Sequence, residues 1–261
     1  MKYLLLLLLP AIIACKNPWN KSEDSPADFA IQNTEDGKVL LRLKPQVGEK
    51  STMQMKVELK PMGMLPMNTT IIADLNMRVV SSTDSAALFH IDFQRMQMNA
   101  TILGAKINYD SQGDNSNIPA EIKNQIEPFL AKKFSMEMDT LARVTKLEID
   151  QSNSIGSNID LNALFIPLPE NEVGTGDSWT TKQDVQSVQN AELIYTIDRI
   201  SATEVLVKVN QSESETSKIS GQYLLDRKTG FTKDGIIEIQ TNQGGQNIQL
   251  KITVDTLNSI K

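Results

Sequence analysis

The chain has 261 residues, with 26 Lys or Arg, 32 Asp or Glu and one His, for a formal charge of -6. At 40% hydrophobic and 22% charged residues it has globular composition, which excludes wholesale disorder. The acidic balance and the lack of a Lys/Arg cluster exclude a phosphate track, so no nucleic-acid partner is expected. One Cys and one His exclude zinc fingers, Cys–His nucleophilic catalysis and a disulfide scaffold.

The N-terminus reads Met1-Lys2, then an apolar run from Tyr3 to Ile13, then Ala14-Cys15. A positive start followed by a short apolar core describes a secretory signal. The run is shorter than the roughly 20 residues that span a bilayer as a helix. Ile12-Ile13-Ala14-Cys15 resembles the lipobox of bacterial lipoproteins, with the only thiol of the chain at the cleavage position. The resemblance implies removal of residues 1–14, a diacylglyceryl group on the Cys15 thiol and an acylated amine. Two acyl chains anchor stably, at about 0.8 kcal/mol per buried methylene. The expected address is the cell envelope, on a membrane (the outer membrane) of a Gram-negative bacterium, with the periplasmic or outer face left open.

Residues 15–37 read as a lipidated N-terminus and flexible tether. Pro, Ser, Asn and acidic residues dominate, with no apolar period. From residue 38 to 261 a β-rich domain is expected. Val39, Leu41 and Leu43 alternate with Leu40 and Arg42 as a first strand. Met53, Met55, Val57 and Leu59 continue with period two, then Ala73 to Val79, then Phe89, Ile91 and Phe93. Such alternation marks strands with one buried and one wet face. At Gln94-Arg95 the phase slips, because the apolar set resumes at Met96 and Met98, so a β-bulge is predicted there.

Between residues 117 and 167 a helix and a hairpin are expected. Ile122, Ile126, Phe129 and Leu130 share a helical face. Asn117 caps the helix, Pro119 sits in its first turn, Lys132-Lys133 fall in its last, and Pro128 kinks or splits it. Phe134, Met136, Met138 and then Val144, Leu147 and Ile149 make a hairpin around Asp139–Arg143. A helical turn is expected over 160–165. The chain then returns to alternation at Leu193, Tyr195 and Ile197, at Val205, Val207 and Val209, at Ile237 and Ile239, and at Ile248 to Val254. Trp179 is expected to be buried, because few other aromatics exist to fill a core.

Three landmarks suggest that the halves, about 39–116 and 168–261, are duplicates. Val47-Gly48-Glu49 matches Val173-Gly174-Thr175. Val80-Ser81-Ser82-Thr83-Asp84 matches Ile200-Ser201-Ala202-Thr203-Glu204. Gly104…Asp110…Gly113 matches Gly221…Asp226…Gly230. The fold class that follows is mainly β (α+β): two antiparallel meanders forming a curved sheet, half-barrel or sandwich, with a short helical insert between them.

Residues 168–180, LPENEVGTGDSWT, and 221–230, GQYLLDRKTG, resemble a family of uncharacterised bacterial envelope lipoproteins of the Bacteroidota type, a domain of unknown function. The resemblance implies architecture and envelope location only. It departs at the middle hairpin, where Gly is expected and Ala142 stands.

Few residues are candidates for chemistry. All ten methionines after Met1 lie at or before Met138. Most are expected as flexible core fillers on strands. The turn carrying Met62, Met64 and Met67 is a candidate Cu(I) site, since thioethers are soft ligands, set against a hairpin tip with apolar contacts. His90 beside Asp92 reads as a surface histidine. Three triplets, Asp84-Ser85-Ala86, Asp139-Thr140-Leu141 and Asp255-Thr256-Leu257, resemble an envelope O-glycosylation signal, which would place sugars on Ser85, Thr140 and Thr256; each also reads as an ordinary turn. No cofactor and no catalytic residue is expected. The leading reading is a non-catalytic, lipid-anchored binding or structural module. Its partners would be the membrane and an apolar ligand or envelope protein. The rival is a carrier of a lipid or other apolar ligand in a half-barrel, and an enzyme of unrecognised site comes third. A filled concave face favours the module, an apolar hollow the carrier, and clustered buried carboxylates the enzyme.

Overall fold

The computed structural model describes residues 37–62, 68–102, 105–149, 164–185, 188–212, 214, 216–243 and 246–260. Cys15 and the tether therefore lie outside the described residues. Residues 50–110 supply β1 (Lys50–Met62), β2 (Asn68–Ser82), β3 (Ala86–Ile102) and β4 (Ala105–Asp110), and the expected insert supplies α1 (Ala120–Leu130), β5 (Lys133–Asp139) and β6 (Val144–Ile149). The second half supplies β7 (Ser178–Val185), β8 (Val188–Ile200), β9 (Glu204–Gln211), β10 (Ser217–Asp226), β11 (Thr232–Gln243) and β12 (Gln246–Ile260).

All described strands join one antiparallel sheet in the order β6-β5-β3-β2-β1-β12-β11-β10-β9-β8-β7, with β4 beside β3. Apart from the β3–β5 and β1–β12 pairs, neighbours in the sheet are neighbours in sequence. The halves meet where β1 pairs with β12, from Lys50 opposite Ile260 to Met62 opposite Asn247. The sheet is open, with β6 and β7 as its edges.

The bulge expected near Gln94 is present. Asp74 faces Arg95 and Leu75 faces Phe93, so Gln94 is the extra residue. The bulge lets Phe93 and Met96 both point into the core, where each is buried. β4 and β5 occupy successive stretches along β3. Residues 105–110 face 102–97, and residues 133–139 face 92–86. They form one strand line interrupted at the bulge by an excursion that carries α1.

α1 runs unbroken from Ala120 to Leu130, so Pro128 does not split it. Pro128 falls in the last turn, where only two residues follow and its missing N–H forgoes a single intrahelical bond. Pro119 O accepts from the amides of Ile122 and Lys123, so Pro119, not Asn117, occupies the capping position. Lys132 and Lys133 fall after the helix, and Lys133 opens β5. Of the helical turn expected over 160–165, only Leu164 and Phe165 are described.

The curl of the sheet follows from distances. Phe89 on β3 and Phe231, just before β11, have ring centroids 5.9 Å apart. Four strand spacings separate β3 from β11, roughly 19 Å in a flat sheet. Both rings also pack on Phe165, at 6.5 and 6.2 Å. One continuous core therefore draws on both halves and the insert: Met53, Met55, Leu75 and Phe89 from the first half, Met136 from the insert, Leu193, Tyr195, Val207 and Ile252 from the second half.

Two extended straps complete this core. Leu164, Phe165, Ile166 and Leu168 are all buried. Leu168 N donates to Leu141 O beside β6, and Trp179 Nε1 on β7 donates to Pro167 O, at 2.8 and 2.9 Å. This strap thus tethers both edges of the sheet. Trp179 is half-buried rather than buried, stacked on Tyr195 at 5.4 Å.

The segment expected as a first strand, 39–43, is the second strap. Val39, Leu41 and Leu43 are buried and Leu40 is exposed, as alternation requires. Its partners, however, are scattered: Val39 bonds Val173, Leu43 N reaches Thr140 O, and Lys44 N reaches Thr229 O. Arg42 adds bonds to the carbonyls of Pro169 and Glu170.

The strap crosses two related turns. In one, Asp226 Oδ1 accepts from the amides of Lys228 and Thr229, and Gly230 has φ 70°. In the other, Asp139 Oδ1 accepts from the amides of Leu141 and Arg143, and Ala142 has φ 56°. Asp226 lies opposite the start of β9 and Asp139 opposite the start of β3. Asp110, by contrast, faces Gln97 in mid-strand. Ala142 stands in the left-handed region at the place where Gly was expected. Ala142→Gly should stabilise the fold by about 0.5–1 kcal/mol, since strain relief exceeds the loss of a methyl and of chain stiffness. Urea melts showing a loss of stability would refute this.

Candidate functional site

Much of the concave face is filled by core side chains. Met53, Met55, Met77, Met96, Met136 and Met138 are buried, each on the core face of its strand, as expected of fillers. The filling fails at one end of the β1–β12 seam. There a hollow of about 380 Å³ lies between β1, β2, the β10–β11 turn and β12. Met77, Val79, Phe231 and Leu257 give it apolar walls, and Glu49, Ser51, Lys228 and Lys233 are among its polar residues.

Two bulges in adjacent strands shape this hollow. On β11, Leu224 faces Asp234 while Leu225 faces Thr232, which leaves Lys233 as the extra residue. On β12, Thr52 faces Asn258 while Met53 faces Thr256, which leaves Leu257 extra. Both extra residues line the hollow. A bulge re-aims the side chain it adds, and here it turns a cation and an aliphatic chain toward the same space. Leu257 is 45% exposed. Lys233 forms an ion pair with Glu204. Thr256 Oγ1 donates to Thr232 O at 2.9 Å and holds the two bulged strands together.

The opposite face carries a polar row. Asp234 and Asp255 face each other across β11 and β12. Gln54 lies opposite both Asp255 and Asp74, and Gln54 Nε2 donates to Asp74 at 2.9 Å. Asp74 lies opposite Arg95, whose guanidinium holds the Asp110 carboxyl well below the usual carboxylate range, helped by the Gln112 amide. Asp234 is pushed up to about 6, first by burial, then by a hydrogen bond and like charge from Asp255. The two carboxyls are in hydrogen-bond contact, closer than the roughly 5–9.5 Å of glycosidase pairs. Among the described residues no three His, Cys, Asp or Glu side chains are grouped to hold a metal.

The raised Asp234 has a thermodynamic sign. The folded state keeps a proton that the unfolded chain releases near pH 4. Its contribution is fully present below about pH 4 and is lost as pH rises through about 6. Asp255→Asn removes the neighbouring charge and offers an amide donor. It should raise stability by about 1 kcal/mol at pH 7.5, a figure reduced for partial exposure, and leave pH 4.5 unchanged. Equal effects at both pH values in urea melts would rule out the shared proton.

The remaining candidates are scattered. His90 is exposed, opposite Arg78 and Ser135. Met62 ends β1, while Met64 and Met67 lie outside the described residues. Ser85 is exposed in the β2–β3 turn, Thr140 is half-buried in the β5–β6 turn, and Thr256 is half-buried in β12. Neither Lys233 nor Phe231 stood out in sequence, because Gly235 carries no side chain to mark the phase of β11.

No protein-family profile matches the chain, and no curated protein matches it. Among solved structures the chain is similar to one of lipovitellin that concerns its lipid–protein interactions. The TM-score is 0.53 and the identity 9%, over 83% of this chain. The chain spans about a quarter of that protein, 26% of its length. At this identity the likeness is one of fold.

Proposed function

We propose that this protein is a lipid-anchored, non-catalytic module of a Gram-negative envelope that binds one apolar ligand inside its curled sheet. The observation that carries the reading is the hollow of about 380 Å³, walled by Met77, Val79, Phe231 and Leu257, at one end of the β1–β12 seam. The straps occupy the space that bulk lipid would need, which favours a single small ligand over a bulk carrier. The anchor rests on the lipobox-like Ile12-Ile13-Ala14-Cys15 and on the likeness of 168–180 and 221–230 to envelope lipoproteins. The fold shared with lipovitellin, whose structure describes lipid contacts, agrees with a sheet suited to apolar cargo.

Native mass spectrometry of protein extracted from its own membranes tests the ligand. One bound apolar molecule per chain is expected, and a ligand-free spectrum under conditions that preserve non-covalent complexes would overturn the reading. Fatty-acid labelling with fractionation tests the anchor. Cys15→Ser should be unlabelled and soluble; a labelled, membrane-bound variant would overturn it.

A further inference from the structure

We infer that the hollow at the β1–β12 seam is the binding site of a single-chain amphiphile, its alkyl chain inside and its polar head at the mouth. The inference rests on the proposed function and gives it a site and a ligand class. Three observations point the same way. First, the volume of about 380 Å³ lies in the lower part of the roughly 300–1,000 Å³ range of small-ligand sites, which suits one chain and not a diacyl lipid. Second, the walls are apolar side chains from three separate segments: Met77 and Val79 of β2, Phe231 before β11, and Leu257 of β12. Core packing normally closes such a gap, and here two adjacent bulges, at Lys233 and Leu257, hold it open.

Third, the mouth carries both signs of charge, and its carboxylates are already occupied. Asp226 takes the amides of its own turn, and Glu49 takes the Gln46 amide. Lys233 is paired with Glu204, and Lys228 is exposed. A mouth of balanced charge suits a zwitterionic or neutral head rather than a strongly cationic one. Leu257, exposed at the lip, then has a role: it covers the first carbons of the chain as they leave the hollow.

The test uses the full folded domain and dodecylphosphocholine below its micelle concentration, with isothermal titration calorimetry. One site per chain is expected. Val79→Trp fills the hollow, and Leu257→Glu places a charge at its lip on a residue that the core does not need. Each should weaken binding by about tenfold or more, and Leu257→Glu should melt as the parent does. Leu147→Glu, on the distant edge strand β6 and similarly exposed, should bind normally. Parent binding that survives both Val79→Trp and Leu257→Glu would overturn the site while leaving the broader reading intact. A parent that binds no single-chain probe yet carries a diacyl lipid in native mass spectrometry would overturn the ligand class alone. A tenfold preference for dodecyltrimethylammonium would overturn the role of the mouth.

Discussion

A chain that begins at Gly48 should be destabilised by about 5–9 kcal/mol relative to one that begins at Gly37, enough to unfold many domains. The deleted strap buries Val39, Leu41 and Leu43, with Leu41 wholly inaccessible, and each such side chain is worth roughly 1.5–3 kcal/mol. Its loss also strands partners. Val173 loses both bonds to Val39, and the turns at Thr140 and Thr229 lose the donors that cross them. Denaturant melts of the two chains measure the difference. If the shorter chain melts like the longer one, residues 37–47 belong to the tether and the core closes without them.

Gly230→Ala should cost roughly 3 kcal/mol, from left-handed strain and overpacking together. At φ 70° a Cβ would lie 2.6 Å from Arg42 O and 2.9 Å from Arg42 C, backbone atoms of the strap. Gly176 gives the control. Its φ is 88° but a Cβ there meets nothing within 4 Å, so Gly176→Ala should cost only the strain, about 1–2 kcal/mol. Equal losses in parallel melts would mean that the strap yields freely at Arg42.

The strands and their wet and dry faces were legible because alternation reports burial directly. The bulge at Gln94 was legible for the same reason: Phe93 and Met96 are both apolar and out of phase. Leu257 carries the same signal, three residues after Val254, whereas the bulge at Lys233 is silent because Gly235 has no side chain. The strap at 39–43 shows that alternation fixes a buried face but not a bonding partner. Its side chains read as a strand, while its backbone bonds go to three distant segments. The seam between β1 and β12 was not legible at all, since antiparallel pairing over such a separation leaves no local mark. The hollow inherits that difficulty, because its walls come from residues 49 to 257.

The seam also governs the order in which the molecule can be made. β1 is among the first strands to leave the ribosome, yet its second partner ends at Ile260. Until β12 arrives, β1 and β11 each present a bare edge, and bare edges pair with whatever strand is at hand. Closing the seam fixes contacts between Lys50 and Ile260, a separation that slows folding because the intervening chain must be ordered first. The competing reaction is pairing between the β1 edges of two unfinished copies, so refolding yield should fall with protein concentration more steeply than it would for a sheet closed by neighbours in sequence.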